Sequence, residues 1–324
     1  AVAYLNPARG RANLTIFTHM QVEKLVIENG RVTGVNAKHK GQPVHLNAAR
    51  EVILSPGAIG SPQILMLSGI GDSGELGAVG ITFAHELMHQ KTKFERFLSD
   101  LLMGMAFYGH FRTEHVHVHH RFVGTKKDAV TARYNESFYT FFLRVIPECL
   151  KSAWKVETSR LVGKNKSIFD FSNPFYVYLT LALFFLLLSF FIGGFWGICL
   201  FLIQALVAVL HLEVVNYIEH YGLSRQKIDD EKYELTKPFH SWNANHAASN
   251  LLLINLQKHS DHHARPNKTY PLLSAYDQNS APQLPFGYPI MVVLSLIPAL
   301  WRKVMNPKVL EWREQFYPQI KVWD

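Results

Sequence analysis

The spacing of hydrophobic and polar positions changes near residue 81. Before it the pattern fits strands: residues 13–18, 22–27 and 32–37 alternate or run apolar at strand length. Residues 44–46 alternate over a shorter stretch. Asn29-Gly30 separates the second run from the third and predicts a hairpin turn, because both residue types accept positive φ. Residues 51–54 make a further apolar run closed by Ser55-Pro56-Gly57, and Ser61-Pro62 opens a short helix reaching Leu67. After residue 82 the period is helical. Residues 98–107 predict a short apolar helix, and residues 175–192 and 195–212 are two nearly uncharged runs of 18 residues each. At 1.5 Å per residue such a run reaches roughly 27 Å, close to a hydrocarbon core about 30 Å thick. Gly193-Gly194 between the runs predicts a tight reversal. One long helix buried in a soluble core is the alternative, although such helices rarely carry so long an uncharged stretch. The expected fold class is a mainly α membrane protein that includes one transmembrane hairpin, with an N-terminal α+β fragment. The expected division is 1–81 and 82–324.

Composition narrows the partners. The 324 residues suffice for two modest domains, and a formal charge of +8 favours anionic surfaces. No nucleic-acid motif accompanies that charge, so a membrane face is the expected partner and nucleic acid is not. Lys151, Lys155, Arg160, Lys164 and Lys166 precede the hairpin, and Arg225, Lys227 and Lys232 follow it. The positive-inside tendency places that side in the cytoplasm. Cys149 and Cys199 lie far apart without CxxC spacing, which argues against a disulfide framework, a zinc ribbon or a rubredoxin-like iron site within this chain. The first residues, Ala1-Val2-Ala3-Tyr4-Leu5, carry neither Met nor the features of a signal peptide, as expected of a segment from inside a longer protein.

The chemistry is concentrated in histidines. His85-Glu86-Leu87-Met88-His89, His115-Val116-His117-Val118-His119-His120 and His259-Ser260-Asp261-His262-His263 form three clusters. The hairpin separates the second from the third. An even number of crossings returns the chain to its starting face, so all three clusters can meet there. His85 and His89 are four apart and share a face on a helix, as do His115 and His119, and His259 and His263. His120 and His262 add ligands beside them, and His220 follows the second apolar run. Imidazole is the commonest metal ligand, and nine candidates suffice for two ions, so a dinuclear nitrogen-ligated centre is expected. Glu86, Glu114, Glu219 and Asp261 stand beside these histidines as acceptors for the outer ring N–H groups, with His246 a peripheral candidate. His117 falls off the ligand face of a helix and is left out. His110, His211 and His240 lack cluster spacing. His85 through His89 is also literally HExxH, the zincin motif, in which Glu86 would act as base. That reading leaves most of the other histidines without a role.

These motifs carry a resemblance. Residues 82 to about 312 resemble the catalytic part of the bacterial membrane alkane 1-monooxygenases, within the integral-membrane fatty acid desaturase/hydroxylase superfamily. The likeness rests on the first cluster and on Glu114-His115 through His119-His120-Arg121. It continues through Asn216-Tyr217-Ile218-Glu219-His220-Tyr221-Gly222-Leu223, Ser241-Trp242-Asn243-Ala244-Asn245-His246 and Leu256-Gln257-Lys258-His259-Ser260-Asp261-His262-His263-Ala264. His117 is a departure from the family's second box. The resemblance implies metal ligands at all nine positions: His85, His89, His115, His119, His120, His220, His259, His262 and His263. It implies two iron ions and O₂ as co-substrate, terminal hydroxylation of an alkane entering from the lipid, and electrons from rubredoxin with its reductase. It also implies a multi-pass protein of the bacterial inner membrane with its active site toward the cytoplasm.

Residues 1–81 resemble something else. Gly57-Ala58-Ile59-Gly60-Ser61-Pro62 through Ser68-Gly69-Ile70-Gly71 is similar to the second signature of the glucose-methanol-choline (GMC) flavoprotein oxidoreductases, and residues 11–14 and 50–54 fit the same family. That family's dinucleotide fingerprint and catalytic histidine have no counterpart, so the fragment is not expected to hold FAD. Gly69-Ile70-Gly71-Asp72-Ser73-Gly74 spells GxGxxG but follows a helix rather than a strand, which predicts a loop. The hydroxylase family places four membrane helices before its first histidine box, where this chain carries the flavoprotein-like segment. The readings open at this level are an alkane hydroxylase, a fatty-acyl desaturase or hydroxylase, an inactive chimera, a fragment of an FAD-dependent alcohol dehydrogenase and a zinc peptidase.

Overall fold

The computed structural model describes residues 8–54, 64, 68, 73–229, 232–246, 250, 253, 255–321 and 323. The chain divides into two compact units, Ala1–Leu76 and Gly77–Asp324.

The first unit contains an antiparallel sheet of β1 (Met20–Glu28), β2 (Arg31–His39) and β3 (Gln42–Asn47), in that order. Asn29 and Gly30 connect β1 to β2 with φ of 51° and 75°, so the predicted turn has positive φ at both central residues. This is the type I′ geometry, whose twist matches that of the flanking strands. Lys40 and Gly41 repeat it between β2 and β3, with φ of 51° and 85°. Leu25 and Ala37 are the buried side chains of the sheet. Two expected strands do not form. Residues 13–18 and 51–54 are irregular, and Leu14, Ile16, Phe17 and Ile53 are exposed. Strand propensity reflects packing on a pleated surface, and among the described residues no neighbouring strand pairs with these runs. The expected helix to Leu67 and the GxGxxG segment lie largely outside the described residues.

The second unit is helical. α1 (Ser73–Met88) crosses the division between units and is followed by α2 (Lys93–Met105). The Thr92 hydroxyl caps α2 by accepting from the Glu95 N–H at 3.1 Å. α3 (Phe111–Glu114) runs through a π-helical turn, His115–His119, into α4 (His120–Phe122). Then come α5 (Phe138–Val162), the long α6 (Phe175–His220), α7 (His259–Ala264), α8 (Tyr288–Ser295) and α9 (Pro298–Phe316).

α6 is a hairpin. Gly194 has φ 56° and ψ −143°, outside helical space, and a Cβ at Gly197 would strike the Ser189 carbonyl oxygen. Tyr178 in the first arm shares a 2.8 Å hydrogen bond with the Thr113 hydroxyl, while Glu213 in the second accepts from the Tyr108 hydroxyl at 3.0 Å. A straight helix would hold Tyr178 and Glu213 roughly 52 Å apart at 1.5 Å per residue. Their partners lie on one short segment, so the arms run back along each other. The alternative of a buried core helix fails on exposure: Phe191 and Ile192 are 80% exposed and Trp196 73%. Soluble monomers rarely show so continuous an apolar surface.

The C-terminal end of α6 is fixed by an aromatic core. Tyr217, Phe138, Phe141, Trp242, Trp301 and Trp312 pack together where α6 meets α5, α8 and α9. The Trp242 indole N–H donates to the Tyr221 carbonyl at 2.9 Å, so this core anchors the chain immediately after His220.

Gly194→Ala forces a side chain into backbone space that only glycine occupies without strain, so it should cost about 1–3 kcal/mol. Gly193→Ala should be near neutral, since Gly193 has no positive φ and nothing crowds either position. Thermal unfolding of the two variants in one detergent would show the difference; equal midpoints would contradict a reversal at Gly194.

Candidate metal centre

Nine imidazoles meet in two adjoining groups. Group A comprises His85, His89, His115, His120 and His262; group B comprises His119, His220, His259 and His263. Within each group one ring nitrogen from every residue lies within 4.8 Å of all the others. α1 supplies His85 from its last turn and His89 follows its end directly, α6 supplies His220 from its last residue, and α7 supplies His259, His262 and His263.

The second cluster is divided differently from the expectation. On an α-helix His115 and His119 would share a face. The π turn has a wider period, and the His120 N–H donates back to the His115 carbonyl, five residues away. His115 therefore falls in group A with His120, and His119 is turned into group B. Such turns are often found at functional sites. His117 points elsewhere, 3.2 Å from an Arg160 guanidinium nitrogen. His211 bonds the Val207 carbonyl, His240 bonds Tyr317, and His110 packs edge-to-face against Tyr108.

The nitrogens face one another. His115 Nε2 lies 2.5 Å from Nε2 of His85, 3.0 Å from that of His120 and 3.1 Å from that of His89. In group B, His259 Nε2 lies 3.1 Å from His220 Nε2 and 3.0 Å from His263 Nε2. One Nε2 can donate a single proton, so most of these approaches set lone pair against lone pair. A shared cation removes the conflict. Neighbouring nitrogens at about 2.1 Å from one ion stand roughly 3 Å apart, as these do. The Nε2 atoms of His119 and His262 are buried without a partner and fit the same role. Burial, then the neighbouring imidazoles, holds His85, His115, His120, His259, His262 and His263 well below the usual histidine range, and His89 falls to about 3. The rings are thus neutral, the form that binds metal.

The outer partners are only partly those expected. Glu219 Oε1 stands 3.3 Å from His259 Nδ1 and accepts from the Tyr288 hydroxyl at 2.8 Å. Glu86 instead accepts from Gln90 Nε2 at 3.0 Å and the Tyr270 N–H at 3.2 Å, and burial pushes it up to about 7. Asp261 is held by Lys268 at 2.7 Å, Arg265 at 3.1 Å and the Ser274 N–H at 2.8 Å, pinning α7 to the following loop. Glu114 is fully buried with neither oxygen bonded, and burial, then Asp128 and Glu213, raises it well above the usual carboxylate range. His246 is exposed.

Two partners were missed. Asp128 Oδ2 lies 2.9 Å from His119 Nδ1, and the Tyr270 hydroxyl lies 2.8 Å from His85 Nδ1. Asp128 sits in a loop clamped by Arg144, which donates to the carbonyls of Ala129 and Thr131 and pairs with Glu136. Neither residue lies beside a histidine in sequence. The only cue for Asp128 is a lone acid in a turn-rich stretch, and Tyr270 offers none.

Residues 62–295 match the fatty acid desaturase family, and residues 1–87 match the GMC oxidoreductase family. Alkane 1-monooxygenase 2 of Pseudomonas aeruginosa is 43% identical over 234 residues, covering 72% of this chain and 62% of that protein. Alkane 1-monooxygenase of Pseudomonas putida is 40% identical over 253 residues, covering 78% and 62%. The xylene/toluene monooxygenase hydroxylase component of Pseudomonas putida is 28% identical over 246 residues, covering 74% and 63%. The chain spans about three-fifths of the length of the curated relatives it matches.

The buried neutral rings make the metal-free protein acid-labile. Below the ordinary histidine pKa of 6.5 the unfolded chain gains protons that the folded cage refuses, so stability falls as pH falls. Each such ring removes up to about 1.4 kcal/mol per pH unit. Glu86, Asp100, Glu114, Glu213 and Glu219, raised rather than lowered, act in the opposite sense, five carboxyls against the eight lowered imidazoles of the cage. The thermal midpoint of metal-stripped protein should therefore drop steeply from pH 7 to pH 5; a flat profile would mean the rings are open to water.

Proposed function

The chain belongs to the fatty acid desaturase family, and on that footing we propose that it hydroxylates the terminal carbon of alkanes with O₂ at a pair of iron ions held by the nine histidines. The observation that carries this reading is the pair of adjoining all-imidazole groups. His85, His89, His115, His120 and His262 would hold one ion, and His119, His220, His259 and His263 the other. When bound, two ferrous ions supply what no side chain can: reduction of O₂ and attack on a strong C–H bond. The overall balance is alkane, O₂, two electrons and two protons giving alcohol and water. Rubredoxin, with its reductase, would supply the electrons.

The chain's own residues handle the substrate's polarity. Phe111 stacks on His115, with ring centres 5.2 Å apart. Phe111 also belongs to an apolar cluster with Met88, Met103, Ala106, Ala208 and Leu212, where α1 and α2 meet the second arm of α6. That cluster carries an apolar surface from the hairpin up to group A. It offers an alkane chain no hydrogen bond and keeps water from the rings. We place the hairpin in the bacterial inner membrane, with the cage toward the cytoplasm on the side of the lysine- and arginine-rich flanks.

The peptidase reading is disfavoured by Glu86, whose carboxylate is occupied by Gln90 and Tyr270. An inactive chimera is a specific second reading, because residues 1–87 match the GMC oxidoreductase family.

Purified protein should bind about two irons per chain. His262→Ala should lower that to about one, since group B keeps all its rings, and should reduce octane turnover with rubredoxin and rubredoxin reductase by at least about 1000-fold, as loss of a core catalytic group does. Two irons without turnover would favour the chimera, one zinc and no iron the peptidase, and a flavin spectrum an FAD-binding fragment.

A further inference from the structure

The two groups differ in what stands behind their rings. In group B, the His119 Nδ1–H donates to Asp128 Oδ2 at 2.9 Å, with both residues wholly buried. That bond leaves His119 Nε2 as a bare lone pair, and it is the buried nitrogen without a partner. Glu219 Oε1 stands 3.3 Å from His259 Nδ1, both residues buried, close enough to act through its charge although the two are not hydrogen-bonded. Group B therefore has two buried carboxylates behind four rings. In group A, the described partner of an outer nitrogen is the Tyr270 hydroxyl on His85 at 2.8 Å, which is neutral. The Nδ1 atoms of His115, His120 and His262 have no described hydrogen-bond partner, and neither do those of His220, His259 and His263 in group B, so the groups differ in the nearby carboxylates alone. Among the described residues no carboxylate lies behind a ring of group A.

A carboxylate behind an imidazole fixes the tautomer that presents Nε2 and makes that nitrogen a stronger donor. It also places a negative charge near the ion, where burial leaves it weakly screened. We infer that the two ion positions are unequal: group B, backed by Asp128 and Glu219, fills first and holds its ion more tightly than group A, although it has one ring fewer. This rests on the two-iron reading above. Asp128 acts on the ion through His119 and is a positioning residue.

The Asp128 loop gives the difference a mechanical basis as well. Asp128 also accepts from the Val130 N–H at 3.1 Å and the Thr131 hydroxyl at 2.6 Å, so its carboxylate cannot swing away from His119. Arg144 holds the same loop against α5.

The test is iron release from the full-length, iron-loaded protein into excess chelator without oxygen, followed alongside its ⁵⁷Fe Mössbauer spectrum. The wild type should release its iron in two phases of equal size. Asp128→Asn keeps an acceptor oxygen but loses the charge, and should speed only the slow phase by about 10-fold, within the 10- to 100-fold range of such partners. It should alter one of the two iron signals. Glu219→Gln keeps an acceptor for Tyr288 and should act on the same phase, which decides the matter if Asp128→Asn does not fold. Tyr270→Phe should act on the fast phase alone. One release phase in the wild type, or equal acceleration of both phases by Asp128→Asn and Glu219→Gln, would overturn the inference while leaving the two-iron reading intact. Fewer than two irons in the wild type would instead overturn that reading, and the inference with it.

Discussion

Nine imidazoles turned inward on one another are the constraint that the second unit is built around. Their facing nitrogens, 2.5 to 3.1 Å apart, cannot all be satisfied by hydrogen bonds. Without a cation the cage is a concentration of buried lone pairs, and each unpaired polar atom costs free energy. The surrounding fold has to oppose that cost. It does so with the aromatic core beneath His220, the Asp261 anchor on α7 and the Arg144 clamp on the Asp128 loop. A cation converts the same arrangement from strain to binding, so metal affinity and folding are coupled.

Bringing nine rings together from distant parts of the chain is a topological matter. The reversal at Gly194 lets α6 leave the first two clusters and return His220 beside them, with His119 and His220 rings 4.6 Å apart. The π turn distributes one short cluster between two groups. A regular helix would have given His115 and His119 to the same ion and left His120 to one side. One wider turn therefore achieves what would otherwise need two separate elements.

Much of this was legible in the sequence because it depends on local spacing. The apolar runs around Gly193-Gly194 and the Asn29-Gly30 turn follow from backbone physics within a few residues. The four-residue intervals of His85/His89 and His259/His263 do too, and each pair falls in one group. What could not be read depends on contacts across the fold. Nothing local distinguishes a π turn from an α turn at His115. Asp128 and Tyr270 reach their histidines only through tertiary packing, whereas Asp261, adjacent to His262, turns outward to Lys268 and Arg265. Adjacency in sequence was a poor guide to outer partners because neighbouring residues on a helix point in different directions. The run at 13–18 shows the same limit for strands, since propensity without a partner left it irregular.

The cage and the catalytic activity make different demands on the chain. Every described bond that positions a ring comes from within the second unit, from Tyr108 and Arg144 to Tyr288. The described support of the cage therefore lies within that unit. Turnover asks for more: an apolar route that excludes water along the whole substrate, and a docking face for an electron donor. On the proposed function, the cluster leading from α6 to Phe111 would supply the inner end of such a route. A ligand set and a substrate route are separable, because the first is held by short-range hydrogen bonds and packing and the second by the extent of apolar wall. Iron content therefore reports on the cage, and only turnover reports on the enzyme.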